Sequence, residues 1–125
     1  MIVGIGLDLV EIERVEQTFL RFGHTFVEKI LCPAEVDYCL SHTRPSPHLA
    51  ARFAAKEAFS KALGTGIGAE LGWHDIEIMR SATGQPTLLV HGKAVDLLRT
   101  RGIHHTHLSL THAQSHAAAV VVLES

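Results

Sequence analysis

Cysteine is nearly missing from this chain: Cys32 and Cys39 are its two, with no second pair and no CxxC spacing. That rules against a disulfide framework or a cysteine-built zinc site and suits two reduced thiols. Long apolar runs are missing too, and nothing approaches the roughly 20 residues needed to cross a bilayer as a helix. Neither sign of charge is in excess. A formal net charge of -2 creates no whole-molecule field to attract nucleic acid or an anionic membrane, so no partner of either kind is expected. Any charged partner must be met by a local patch. The apolar opening from Met1 is short, is broken by Asp8 and Glu11, and has no basic region before it, unlike a signal peptide. A cytoplasmic protein is the expectation. No repeat, linker or low-complexity tract divides the chain. What is abundant is hydrophobic residues, at 46% of 125, enough for a real core and too many for disorder. One domain over residues 1–125 is expected.

The stretch Arg52 to Gly68 organises the rest. Alanine, leucine, lysine and glutamate make it a strong helix former, and Gly64 suits the left-handed residue that often ends a helix. Ala50, Ala51, Phe53, Ala54, Ala55, Ala58, Phe59 and Ala62 occupy almost every face, as in a buried helix. Yet the same helix carries Arg52, Lys56, Glu57 and Lys61, which are costly to bury without partners.

Around that helix, Met1 to Val10 reads as a strand whose apolar run is too continuous for a half-exposed one. Gly4 and Gly6 permit close backbone approach. Glu11 to Phe22 is an amphipathic helix with Ile12, Val15, Phe19 and Phe22 as its buried stripe, and Arg14 and Arg21 share its exposed face. Phe26 to Leu31 is a short helix, Pro33 opens another through Leu40, and His42 to His48 is a proline-broken loop. Trp73 to Met79 and Thr87 to Val90 form a hairpin across the turn Ser81 to Pro86. A helix ends near Gly102, and His104 to Thr111 and Ala117 to Leu123 are two further strands. Helices and antiparallel hairpins in separate runs predict an α+β fold, an antiparallel sheet packed around the alanine-rich helix.

Several patterns invite a chemical reading. Gly64-Thr65-Gly66-Ile67-Gly68 follows a helix, so it lacks the strand-before, helix-after context of a dinucleotide or P-loop site. It is either a cap and turn or a turn whose amides hold a phosphate. Glu57 and Lys61 stand four apart in the order that favours an intrahelical salt bridge. Asp8 either caps the next helix or meets Glu57, in which case two carboxylates hold a hard divalent cation such as magnesium, with phosphates completing its shell. Histidines cluster at His104, His105 and His107 and again at His112 and His116. With no Asp, Glu or Cys interleaved, the first cluster reads as surface, and the rival is a histidine-rich metal or ligand-binding module without catalysis.

Three segments together resemble holo-acyl-carrier-protein synthases, the short bacterial class of 4'-phosphopantetheinyl transferases. They are Gly4-Ile-Gly-Leu-Asp-Leu-Val-Glu-Ile-Glu-Arg14, Arg52-Phe-Ala-Ala-Lys-Glu-Ala-Phe-Ser-Lys-Ala-Leu-Gly-Thr-Gly66 and Leu108-Ser-Leu-Thr-His112, with Asp75 to Ile78 and Gly84-Gln-Pro86 as a weaker fourth. The resemblance implies the 4'-phosphopantetheinyl transferase fold and transfer of phosphopantetheine from coenzyme A to a serine of an apo acyl carrier protein. It implies magnesium on Asp8 and Glu57, and Lys61 offsetting phosphate charge. Glu57, acting through a metal-bound water, is the expected base and His112 its rival. Arg52, Lys56, Gly64, Thr65, Gly66, Ile67, Gln85, Pro86 and His112 are implied around the nucleotide, and Arg14 and Arg21 on the acidic carrier protein. A homotrimer with sites between subunits is implied as well. Gln85 stands where relatives often carry a basic residue, and Thr111 replaces a common serine before His112.

Overall fold

Strand β1, Ile2–Glu11, runs directly into helix α1, Ile12–Phe22, in a computed structural model that describes residues 1–125. Helices α2 (His24–Ile30) and α3 (Pro33–Leu40) follow, and then the long α4, Ser46–Leu63. A single turn of 3-10 helix at Trp73–Asp75 leads into the hairpin of β2 (Ile76–Arg80) and β3 (Pro86–Val90). Helix α5 spans Gly92–Thr100, and β4 (His105–His112) and β5 (His116–Glu124) close the chain. The larger sheet has the order β1-β5-β4, antiparallel throughout, and β2-β3 is a separate two-stranded sheet.

Helix α4 lies against the β1-β5-β4 sheet, and small residues set the spacing. On β5 the inward positions are Ala117, Ala119, Val121 and Leu123, all buried. On β1, the period of two puts Gly4, Gly6 and Asp8 on the helix-facing side. A methyl group on Gly6 would come within 1.7 Å of the Ala58 carbonyl oxygen, and one on Gly4 within 2.1 Å of that of Ala62. The strand glycines and helix alanines therefore bring two backbones together. Gly64 ends α4 at φ 79°, the left-handed conformation expected of it.

Two apolar clusters meet on α4. One joins Ala54, Ala55, Ala58, Phe59 and Leu63 to Leu71, Ile76, Ile78, Ala94 and the inner face of β5. The other joins Leu49, Ala50 and Ala51 to Ile12, Val15, Val27, Ile30, Leu31 and Cys39. Helix α4 is thus wrapped on most sides, which is why its apolar residues show no single stripe.

Four local expectations change. Strand β1 is not covered on both sides in this chain: Ile5, Leu7 and Leu9 are 61%, 64% and 67% exposed. Helix α1 buries Ile12 and Val15, but Phe22 at its end is 52% exposed. Trp73–Asp75 is a 3-10 turn before the strand, with Asp75 Oδ2 accepting from the Gly72 amide at 2.8 Å, and α4 begins at Ser46 inside the expected loop.

Candidate functional site

Asp8 follows the two close-packed glycines on the same face of β1, at the point where its side chain meets the last turns of α4. Lys61 Nζ donates to Asp8 Oδ1 at 2.8 Å and to the Leu7 carbonyl at 3.2 Å. This is a different partner from the intrahelical one that spacing favours: Lys61 bridges helix to strand, because β1 approaches so closely that Asp8 is within reach. Asp8 caps no helix; the residue before α1 is Glu11, which makes no side-chain cap. The hydrogen bond to Asp8 holds the Lys61 ammonium above its ordinary value. The Glu57 carboxyl is also pushed up, first by burial and then by the charge of Asp8, with Lys61 opposing. Two carboxylates that repel one another beside partly dehydrated space are a hard, oxygen-only donor set. They fit a magnesium ion, whose charge would relieve both the burial and the repulsion.

Asp8 and Glu57 line one cleft of about 360 Å³, shared with Arg14, Thr18, Phe26, Phe53 and His116. Arg14 thus stands at the carboxylate pair itself. Arg21 lies seven residues on, about 10 Å further along the same face of α1, with its guanidinium 5.0 Å from the centre of the Phe22 ring.

A second cleft, of about 290 Å³, gathers Arg52, Pro86 and His112 with Tyr38, His48 and Arg80. Arg52 is 3% exposed and lies 4.2 Å over the Tyr38 ring, and its buried Nε has no hydrogen-bond partner. Leaving a charged donor unsatisfied costs at least about 1–3 kcal/mol, a cost that an anionic ligand would remove. Arg80 donates to the Tyr38 hydroxyl at 2.8 Å, and His42 and His48 stack with ring centres 3.6 Å apart. His48 is pushed down to about 4, chiefly by burial and then by the charges of His42, Arg52, His112 and Arg80. The cleft is a positive, aromatic-walled pocket with the chemistry of a phosphate and base site. Tyr38, His48 and Arg80 carry no sequence signal that assigns them here; they come from three separate elements.

Arg52 and Glu57 are five residues apart on one helix, so their side chains project about 140° apart and the two clefts face different ways. Gly64, Thr65, Gly66 and Ile67 begin about 18 Å along the axis from Arg52, beyond the Lys61 end of α4. The residues expected around one nucleotide therefore divide within this chain. Arg52, Pro86 and His112 are together, Gln85 adjoins Pro86 at the hairpin turn, and the 64–67 loop lies at the other end of the helix.

Lys56 is a correction. It is fully buried, and its ammonium donates to Glu35 Oε1 at 2.7 Å, the Ile30 carbonyl at 2.7 Å and the Trp73 carbonyl at 3.0 Å. Every donor it has is used inside the protein, so it ties α2, α3 and the 3-10 turn to α4 and has none left for a nucleotide. Among the histidines of β4, His107 pairs with Glu124 at 3.0 Å from the neighbouring strand, and His105 is exposed. No third ligand joins them.

A family model described as the 4'-phosphopantetheinyl transferase superfamily matches residues 4–121. The holo-(acyl-carrier-protein) synthase of Syntrophus aciditrophicus is 46% identical over 124 residues, spanning 99% of this chain and 97% of that protein. Among solved structures, the Neisseria meningitidis holo-(acyl-carrier-protein) synthase superposes with a TM-score of 0.93 at 37% identity, covering all of both chains. The Helicobacter pylori synthase in complex with coenzyme A superposes at 0.86, also at 37% identity, over 96% of this chain and 99% of that one.

Proposed function

The chain belongs to the 4'-phosphopantetheinyl transferase superfamily, and from that premise we propose that it is a holo-acyl-carrier-protein synthase. It transfers 4'-phosphopantetheine from coenzyme A to a serine hydroxyl of an apo acyl carrier protein. The observation that carries this reading is the meeting of Asp8, Glu57 and Lys61 across the β1–α4 contact. It supplies two hard anionic ligands and one mobile cation beside a cleft.

In the reaction the serine oxygen bonds to the phosphorus that carries the pantetheine arm. The bond from that phosphorus to the bridging pyrophosphate oxygen breaks, and adenosine 3',5'-bisphosphate leaves. Magnesium, held by Asp8 and Glu57, would supply Lewis-acid stabilisation of the pyrophosphate charge. Lys61 contributes a second positive charge, and its 51% exposed side chain is free to swing from Asp8 towards a phosphate oxygen. Glu57, acting through a water, would take the serine proton. His112 lies in the other cleft of the same chain, so it would act on that proton only from a neighbouring subunit. Arg52 and His112, with Pro86 and Gln85 at the hairpin turn, hold the nucleotide, and the Gly64, Thr65, Gly66 and Ile67 loop contributes backbone donors.

Two features support a homotrimer with sites between subunits. The apolar face of β1 (Ile5, Leu7, Leu9) is uncovered, and the two clefts face away from each other, so a neighbour can complete each. Arg14 and Arg21 form a basic track along α1 that leads an acidic carrier protein to Glu57. Residues 1–125 act as a single domain, and the setting is cytoplasmic fatty acid and lipid biosynthesis. No helix is long and apolar enough to cross a membrane.

The test is mass spectrometry of a purified apo carrier protein incubated with coenzyme A, magnesium and this protein. A mass gain of one phosphopantetheine group is expected, lost in Asp8→Ala and Glu57→Ala with the fold retained. No gain with the wild type refutes the activity. Full activity in both variants refutes the metal assignment.

A further inference from the structure

Cys32, Glu77 and His91 have no part in the chemistry above, yet their ligating atoms all lie within 4.8 Å of one another. They come from three elements. Cys32 is the residue before α3, Glu77 is on β2, and His91 joins β3 to α5. Spacings of 45 and 14 residues match no metal-binding motif, so only the fold assembles the set. Cys32 is 7% exposed; its thiol makes weak, long contacts to the His74 and Ile76 carbonyls, at 3.6 and 3.8 Å, and faces Glu35 across the first turn of α3. His91 Nε2 lies 2.8 Å from Glu77 Oε1. The three close one side of a cleft of about 720 Å³, so an ion has a route in and a position left for water.

We propose that Cys32, Glu77 and His91 form a second metal site, selective for zinc and separate from the magnesium pair. The donor set argues for this choice. One sulfur, one imidazole nitrogen and one carboxylate oxygen suit a borderline-soft ion, whereas magnesium wants an all-oxygen shell. Tetrahedral zinc with ligands at about 2.0–2.3 Å needs donor atoms about 3.3–3.7 Å apart, so a set that starts within 4.8 Å has only about 1 Å to close. Three protein ligands leave a fourth position for solvent from the cleft.

Binding replaces protons. The Cys32 thiol is pushed up to about 11, mainly by burial, with the Lys56 charge opposing, so it is protonated in the free protein. Zinc takes the thiolate, the thiol proton passes to solvent, and the imidazole proton moves from Nε2 to Nδ1. The bound ion would pin the β2–β3 hairpin to the start of α3. That hairpin carries Arg80 and Pro86 into the Arg52 cleft.

Cobalt(II), titrated into the metal-free full-length protein, is the probe. One cobalt per chain is expected to give a near-ultraviolet sulfur-to-cobalt charge-transfer band and tetrahedral visible bands, both abolished by an equivalent of zinc and unaffected by excess magnesium. Cys32→Ser should lose the sulfur band, and Cys39→Ala should keep it. Should Cys32→Ser fail to fold, His91→Ala at the cleft rim serves. It should weaken cobalt binding by more than the roughly 10–100-fold that follows loss of a mere outer-sphere partner. A wild-type protein with no sulfur band overturns the proposal, as does a band that survives in Cys32→Ser or is undiminished in His91→Ala.

Discussion

Replacing Gly6 by alanine tests the contact on which the whole site depends. The added methyl would lie 1.7 Å from the Ala58 carbonyl oxygen and 2.8 Å from the Ala62 amide nitrogen. Real contacts of this kind stay above 3.0 Å, so strand and helix must separate by at least 3.0 − 1.7 = 1.3 Å. Both obstructing atoms are backbone, and no rotamer change relieves them. A gap of 0.5–1 Å already forfeits about a quarter to a half of each dispersion contact across an interface. Overpacking typically costs about 1–3 kcal/mol, and a clash of backbone against backbone belongs at or above the top of that range. For a chain of this size about 3 kcal/mol lowers the thermal midpoint by on the order of 10 °C. Asp8 is two residues along on the same face, so its contacts with Lys61 and Glu57 should loosen together with the packing. Urea denaturation and magnesium-dependent transfer should both report the loss. Ala58→Gly should not rescue it, because the obstruction is the carbonyl of residue 58 and not its methyl. A Gly6→Ala protein as stable and as active as the wild type would refute the close-approach argument.

Lys56→Met removes one partner of a fully buried ion pair and leaves the Glu35 carboxylate with only the Cys32 and Ile78 amides. A loss of about 3–5 kcal/mol in urea denaturation is expected, and a loss under 1 kcal/mol counts against the structural role. Glu57→Gln should abolish transfer yet raise stability in magnesium-free buffer at neutral pH. A carboxyl whose folded pKa is raised disfavours folding once ionised, here by under about 1 kcal/mol after solvent screening. His48 has a depressed pKa, so the unfolded chain takes up its proton first: its contribution is whole above pH 6.5 and is lost as pH falls towards about 4. Thermal midpoints against pH should fall less steeply over that window in His48→Gln. Arg21→Glu should lower kcat/KM for the carrier protein about tenfold at low salt with KM for coenzyme A unchanged, and the difference should shrink as salt screens it.

Much of the fold is legible locally. The composition of residues 52–63, Gly64 after them, and the turn at Gly84 to Pro86 define their elements through backbone preferences acting over a few residues. Along β4 the alternation of Leu108 and Leu110 with His107, Ser109 and Thr111 likewise shows which residues face the core, whereas the continuous apolar run 117–123 of β5 does not. Periodicity misled where the covering surface was missing or curved. The large apolar residues Ile5, Leu7 and Leu9 of β1 lie on its uncovered face while Gly4, Gly6 and Asp8 face the helix, and Phe22 continues a helical stripe beyond the residues that α1 buries. The four charges on α4 announced a site without saying which of them belonged to it.

What this sequence determined alone is the set of helices and strands, the family to which its motifs belong, and the presence of unusual carboxylates at residues 8 and 57. Only the tertiary structure decided how those charges are used. Lys61 is four residues from Glu57 but is held by Asp8, 53 residues away, because glycines let the backbones of β1 and α4 approach. Lys56, one residue before Glu57, turns into the core and is spent on Glu35. Cys32, Glu77 and His91 meet although no spacing relates them. Local propensity acts over one turn or one strand pair. Partners for charges and ligands are chosen by packing, which joins residues that the chain keeps far apart.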